Sequence, residues 1–267
     1  MPGKSPSLLM CAPDHYAIRY SINPWMKISC PARRDSSRRQ WDRLVEILHG
    51  LKVEIDLVPP VPGLPDMVFT ANAGLPVGDR VFLSRFRHPE RRPESVRFRK
   101  WFEKKGFEIL ELPEGVFFEG AGDALFFGTI LFAGYRFRSD VRAHSRIAEV
   151  LGIQVLSLEL VDRRFYHLDT CFSPLDDRSV LYYPPAFDRY ALQVIRENIP
   201  DPIPVPDREA FRFVCNAVVV GRDVVFQAGC PETVRVLEER GFRVHETDLS
   251  EFHKAGGSAK CLTLRIG

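Results

Sequence analysis

Five polar residues recur at nearly equal intervals along this chain: Asn72, Glu119, His167, Asn216 and Cys261, separated by 47, 48, 49 and 45 residues. Each ends a short loop and leads into an apolar run, as Phe-Thr-Ala-Asn72 leads into Leu75–Leu83 and Gly-Gly-Ser-Ala-Lys-Cys261 into Leu262–Ile266. A supersecondary unit copied five times would bring all five to one place. The chemistry would be nucleophilic. Cys261 needs a base or a nearby cation to become a thiolate, because a free thiol ionises near pH ~8.5, and of the seven histidines only His167 is repeat-equivalent. Glu119 and Asp169 add negative charge, which opposes thiolate formation unless a cation lies between them. The substrate should supply that cation. A guanidinium suits: it is planar, permanently charged, and offers its N–H donors in a fork that matches carboxylates. A thiolate attacking its carbon from above the plane, with His167 protonating the departing amine and then activating water, would break a C–N bond.

Positioning these groups requires a repeated scaffold. In each unit two apolar runs flank a turn, Gly78-Asp79, Gly128-Thr129, Asp176-Asp177 or Gly221-Arg222-Asp223, which predicts a hairpin. Helical periodicity follows over Pro93–Lys105, Val141–Gly152, Asp188–Asn198 and Pro231–Gly241, with Gly106, Gly152 and Gly241 at C-terminal positions. A further short strand then follows, such as Phe107–Leu110 or Gln154–Ser157. The first unit is split between the ends: Leu262–Ile266 should pair with Ser7–Cys11, a helix should run from about Arg38 to Leu51, and Val53–Leu57 should be its strand. The expected fold is α/β, a five-fold pseudosymmetric propeller of ββαβ-type repeats forming one catalytic domain over 1–267. A solenoid would need caps, whereas this chain carries matching half-units at its ends.

Composition narrows the partners. Net charge is +2 with both signs interspersed, so neither nucleic acid nor a membrane surface is indicated. A small charged metabolite is. No apolar run suits a signal peptide or a membrane span, which places the chain in the cytoplasm. The six cysteines lack CxxC or Cys/His ligand spacing, so neither disulfides nor a metal is expected, and no cofactor is called for. Gly120-Ala-Gly122 lacks the third glycine of a dinucleotide-binding loop and precedes a strand instead of a helix.

Phe-Thr-Ala-Asn72, Glu119-Gly-Ala-Gly-Asp123, His167-Leu-Asp169-Thr and Gly-Gly-Ser-Ala-Lys-Cys261 together resemble the guanidine-modifying, or pentein, enzymes. These include arginine deiminases, dimethylarginine dimethylaminohydrolases, arginine dihydrolases and amidinotransferases. The resemblance spans the chain in motif order. It implies that Cys261 is the nucleophile, His167 the acid/base, and Glu119 and Asp169 the guanidinium-binding carboxylates. Deiminases and dimethylarginine hydrolases usually carry an aspartate where this chain has Asn72. With Ser21-Ile-Asn23-Pro-Trp-Met26 and Arg85-Phe-Arg-His-Pro89, that departure looks most like the arginine dihydrolases, which take arginine to ornithine, ammonia and carbon dioxide. Alternatives are hydrolysis of dimethylarginine or arginine to citrulline, amidine transfer to an amine, and a non-catalytic binding module on the same fold.

Free arginine also needs partners for its α-groups. The resemblance suggests Arg85 or Arg138 for the carboxylate, with Arg136 as a fallback. Asp66 is a candidate for the ammonium, and Asn23 and Asn216 for cleft-lining amides. Asp123 is expected to do no more than turn chemistry beside its glycines, and self-association is left open.

Overall fold

The computed structural model describes residues 6–267. Its elements follow one another in a fixed rhythm. The chain opens with β1 (Ser7–Met10), α1 (Arg34–Gly50) and β2 (Glu54–Leu57). The second unit is β3 (Gly74–Val77), β4 (Arg80–Leu83), α2 (Arg92–Lys104) and β5 (Glu108–Leu110). The third is β6 (Ala124–Phe127), β7 (Ile130–Tyr135), α3 (Val141–Leu151) and β8 (Val155–Glu159). The fourth is β9 (Phe172–Pro174), β10 (Ser179–Tyr182), α4 (Arg189–Asn198) and β11 (Asp201–Pro204). After the short α5 (Asp207–Ala210) come β12 (Val218–Val220), β13 (Asp223–Gln227), α6 (Pro231–Glu239) and β14 (Arg243–Thr247). The short α7 (Ser250–His253) and β15 (Leu264–Arg265) complete the chain.

These strands form five separate three-stranded sheets. In each complete unit an antiparallel hairpin is joined by a parallel strand that returns after the helix. The fifth sheet unites the two ends: β15 pairs antiparallel with β1 (Leu9 opposite Leu264), and β1 pairs parallel with β2. An α/β fold of five ββαβ-type units is therefore present. The parallel pairs need helical crossovers, and the helices bury one stripe each to provide them. In α1 that stripe is Trp41, Leu44 and Leu48, and in α2 it includes Phe98, Trp101 and Phe102. Side chains as fully buried as Phe98 and Phe102 each contribute about 1.5–3 kcal/mol of transfer free energy.

Two differences from the sequence expectation bear on the site or its frame. Helix α1 starts at Arg34, a turn before Arg38, because its first turn, Arg34-Asp35-Ser36-Ser37, is polar and gives no apolar period. The closing strand contracts to Leu264–Arg265. Cys261 thus lies in a turn, three residues before the strand and not at its start. The same holds elsewhere: 3-10 turns Thr70–Ala73, Gly120–Gly122 and Leu168–Thr170 precede β3, β6 and β9. The repeated polar residues sit on or beside these turns, at one end of the first strand of every hairpin. No helix among the described residues is long and apolar enough to cross a membrane.

Candidate active site

The Cys261 thiol is held by two neighbours. Its Sγ donates to Asp169 Oδ2 at 3.3 Å and accepts from Asn216 Nδ2 at 3.0 Å. Asn216 does more than line a cleft: its Oδ1 accepts from the backbone amides of Ser258 and Cys261, at 3.1 and 3.0 Å, and its Nδ2 also reaches the Asp169 carbonyl. One amide side chain therefore fixes the turn, the thiol and the adjacent carboxylate loop. All three residues are buried. Burial first, then the charge of Asp169, pushes the thiol well above its ordinary value, opposed by the amides of Ser258 and Asn216. The substrate-free thiol is consequently protonated near neutrality.

A second set of contacts centres on Glu119. Its Oε2 accepts from His167 Nε2 at 2.8 Å and from Arg138 at 3.0 Å, while Oε1 accepts the Arg87 amide. Burial disfavours this charge, but Arg138 and the His167 hydrogen bond outweigh it and hold the carboxyl well below the usual range. Asn72 Nδ2 donates to the Glu119 carbonyl at 3.1 Å, and its Oδ1 accepts from Arg91 at 2.9 Å. These loops approach so closely that no side chain fits at Gly122, where a Cβ would stand 2.2 Å from Asn72 Nδ2. The glycines of Glu119-Gly-Ala-Gly are thus packing requirements.

Cys261, Asn72, Arg138, Arg91, Asp66 and Asn23 share a small cavity, closed by Ile22, Met26, Phe69, Tyr166 and Ala255. Its volume is about 10 Å³, no more than one water needs. Two buried carboxylate oxygens at this site, Asp169 Oδ1 and Asp66 Oδ1, have no hydrogen-bond partner among the described residues. Burial raises both carboxyls, Asp169 to about 6, with Lys260 as the chief opposing influence there and Arg91 for Asp66. Unpaired buried acceptors are rare in folded proteins because each forfeits its hydration.

The chain matches the family of eukaryotic N,N-dimethylarginine dimethylhydrolases over residues 20–267. It belongs to that family. It is 50% identical over 97% of its length to the bifunctional arginine dihydrolase/ornithine cyclodeaminase ArgZ of Synechocystis, spanning 37% of that protein. It is also 43% identical, over 96% of its length and 84% of the relative's, to the N(G),N(G)-dimethylarginine dimethylaminohydrolase of Mycobacterium tuberculosis. Among solved structures it matches the N-terminal domain of an asparagine-to-serine variant of ArgZ covalently bound to a reaction intermediate. That match has a TM-score of 0.95 at 48% identity and covers 98% of each chain. The resemblance to guanidine-modifying enzymes is borne out at the level of family.

Within this dimethylhydrolase-family chain the remaining candidates divide. Arg138 lies across the Tyr166 ring, 4.5 Å from guanidinium carbon to centroid, and donates to the Ile22 carbonyl. Arg85 turns away, donating to the carbonyls of Leu112 and Pro113, because its backbone bridges to Phe118 and points the side chain along that loop. Arg136 pairs with Glu159 outside the cavity. Asp123 accepts from Ser139 Oγ and the Leu168 amide, so it ties two loops together beyond its own turn. Asn23 caps its own turn, accepting from Trp25 and Met26, and donates to Ala255.

Arg91 and Glu94 were not anticipated. Arg91 makes a bidentate pair with Glu94, at 3.0 and 2.9 Å, while facing Asn72. The signal was available: Glu94 occupies the buried stripe of α2 with Phe98 and Trp101, and a charge there demands a partner. Among the described residues no group of three or more His, Cys, Asp or Glu could hold a metal ion.

Proposed function

We propose that this chain is a cysteine-dependent hydrolase that takes free L-arginine to ornithine, with two waters consumed and two ammonia and one carbon dioxide released. The observation that carries this reading is the pair of unpartnered buried oxygens, Asp169 Oδ1 beside the thiol and Asp66 Oδ1 in the cavity wall. The first suits a guanidinium and the second an α-ammonium, with Arg138 and Arg91 lining the cavity and each sharing its charge between a glutamate and the α-carboxylate. Glu119 and Asp169 would hold and polarise the guanidinium. Its charge, arriving beside Cys261, reverses the field that keeps the thiol protonated. Sγ gives its proton to Asp169 Oδ2, which it already faces at 3.3 Å, and bonds to the guanidinium carbon; the bond from that carbon to a terminal nitrogen breaks as His167 gives the nitrogen a proton, and ammonia departs. Water deprotonated by His167 attacks the thiouronium carbon, the C–S bond breaks, and citrulline forms. A second round on the ureido group would complete the sequence. Asn72 favours it, since a neutral amide there adds no charge to the pull on the departing cation and lets the neutral product stay.

Dimethylarginine is the second reading, supported by the family match and the Mycobacterium relative. Incubating the protein with arginine, dimethylarginine and agmatine, and quantifying ornithine, citrulline and ammonia, separates the two. Ornithine from arginine is expected, with none from Cys261→Ala. Citrulline as sole product, or an active alanine variant, would overturn the proposal.

We also read the five sheets as blades of a closed propeller in one catalytic domain. The β1–β15 pairing supports closure. A cytoplasmic site is supported by six cysteines, all unpaired.

A further inference from the structure

A second cavity, of about 780 Å³, runs along the first strands of the hairpins, from their starts at Phe172, Val218 and Leu264 to the turns. Residues from all five sheets line it, among them Leu75, Leu125, Phe172, Val218 and Leu264, and it opens at the hairpin turns of Gly78 and Gly221. It shares no lining residue with the small cavity at Cys261. Its volume lies in the range of ligand sites, roughly 300–1,000 Å³.

We propose that this cavity is a ligand site for an amphipathic anion, the apolar body against the five strands and the anionic head on the ammonium of Lys260. Lys260 lines the cavity's inner end, next in sequence to Cys261. It forms no ion pair among the described residues, and its one hydrogen bond is a 3.5 Å contact to the Thr263 carbonyl. The other charges differ. Asp176 is engaged by Arg222 and by the amides of Arg178 and Ser179, and Arg265, on β15, is exposed and donates to Gly267. A cation with no carboxylate within ion-pair distance, at the inner end of an apolar cavity, selects a carboxylate, sulfate or phosphate head over a neutral or cationic one.

Occupancy would reach the other side. Asn216 accepts the Lys260 amide on its carbonyl and the Cys261 amide on its side chain, at 3.2 and 3.0 Å. Lys260 is the strongest influence favouring the charged form of Asp169. An anion on Lys260 cancels that influence and also the cation's direct attraction for the Cys261 thiolate, so turnover falls. This coupling rests on the reading of Cys261 as nucleophile; the binding itself does not.

Octanoate, 1-octanol and octylamine serve as probes, titrated calorimetrically into the wild-type chain, Lys260→Met and Phe126→Asp. Phe126 stands at the cavity mouth and is 37% exposed, so its replacement leaves the core intact. Octanoate should bind about tenfold more tightly than octanol, as one charge-assisted contact implies. Lys260→Met should erase that preference and Phe126→Asp should weaken octanoate severalfold. With arginine, octanoate should lower kcat without raising KM, and peptide-resolved alkylation of Cys261 should slow. No octanoate binding, an affinity unchanged in both variants, or simple competition with arginine would overturn the site. Binding with the expected preference but unchanged Cys261 alkylation would refute the coupling alone.

Discussion

Removing the Asn216 side chain should separate positioning of the thiol from binding of substrate. In Asn216→Ala the sulfur loses a donor at 3.0 Å, and a hydrogen bond to a charged group contributes about 1.5–3 kcal/mol. At 1.36 kcal/mol per unit the thiol should titrate about 1–2 units higher, and kcat should fall about 10- to 100-fold. Arg138, Arg91 and Asp66 make no contact with Asn216 in the hydrogen-bond network, so KM for arginine should change less than about threefold. Two buried amides, of Ser258 and Cys261, lose their side-chain acceptor, costing about 1–3 kcal/mol each in stability. Urea melts measure the last effect. The pH dependence of Cys261 alkylation, resolved by peptide mass so that exposed Cys30 does not contribute, measures the first. A kcat loss of 100-fold with an unshifted alkylation profile would refute the assignment of Asn216 to the thiol's ionisation.

Asn72→Asp keeps the acceptor for Arg91 but turns an oxygen toward the Glu119 carbonyl, 3.1 Å from the present nitrogen; the product ratio should shift toward citrulline, and an unchanged ornithine fraction counts against the role of the neutral amide. The Asp169 carboxyl, raised to about 6 by burial, becomes neutral below that pH, so kcat/KM for arginine should drop about tenfold per unit on the acid side; a profile flat down to pH 5 contradicts this. The same shift has a linkage sign: the folded state holds the proton more tightly than the ordinary value of 3.8, so this group's contribution to stability declines as pH rises from 3.8 to about 6. Glu209→Ala should cost about 2–4 kcal/mol in urea melts, because Glu209 accepts the Glu232 and Thr233 amides at the start of α6, which has no cap of its own. A loss under 1 kcal/mol would mean that water satisfies that helix end.

Much of this architecture was legible because each hairpin carries its own punctuation. The two-residue turns at Gly78, Gly128 and Gly221 and the left-handed Gly152 after α3 fall where composition placed them. Strand β11 did not stand out: Pro202 and Pro204 occupy half of it, and it pairs only at the edge of its sheet, through the amides of Asp201 and Val205. The 3-10 turns were also invisible. Alternation cannot distinguish a strand's first residue from a turn that delivers it, which is why Cys261 was set too close to β15. Among the arginines, spacing could not separate Arg85 from Arg91. Both belong to one arginine-rich stretch, and only the tertiary course of the chain turns one toward carbonyls of the next loop and the other toward Asn72.

The balance of buried charge connects these details. Asp66, Glu94, Glu119, Asp123 and Asp169 are all buried around the candidate site, against the guanidinium groups of Arg91 and Arg138 and the ammonium of Lys260, which acts on Asp169. Arg91 is already committed to Glu94 and Arg138 to Glu119. Asp123 has two donors of its own, but Asp169 and Asp66 each retain an oxygen with none. On the function proposed above, a cation with several donors would complete the site in charge and in hydrogen bonding. An aspartate at position 72 would deepen that deficit beside a residue whose charge Arg138 and His167 already stabilise. It would also strengthen the hold on a charged guanidinium relative to a neutral ureido group. The amide at Asn72 leaves the cluster one charge short of that, which is the physical basis for expecting the second hydrolytic round.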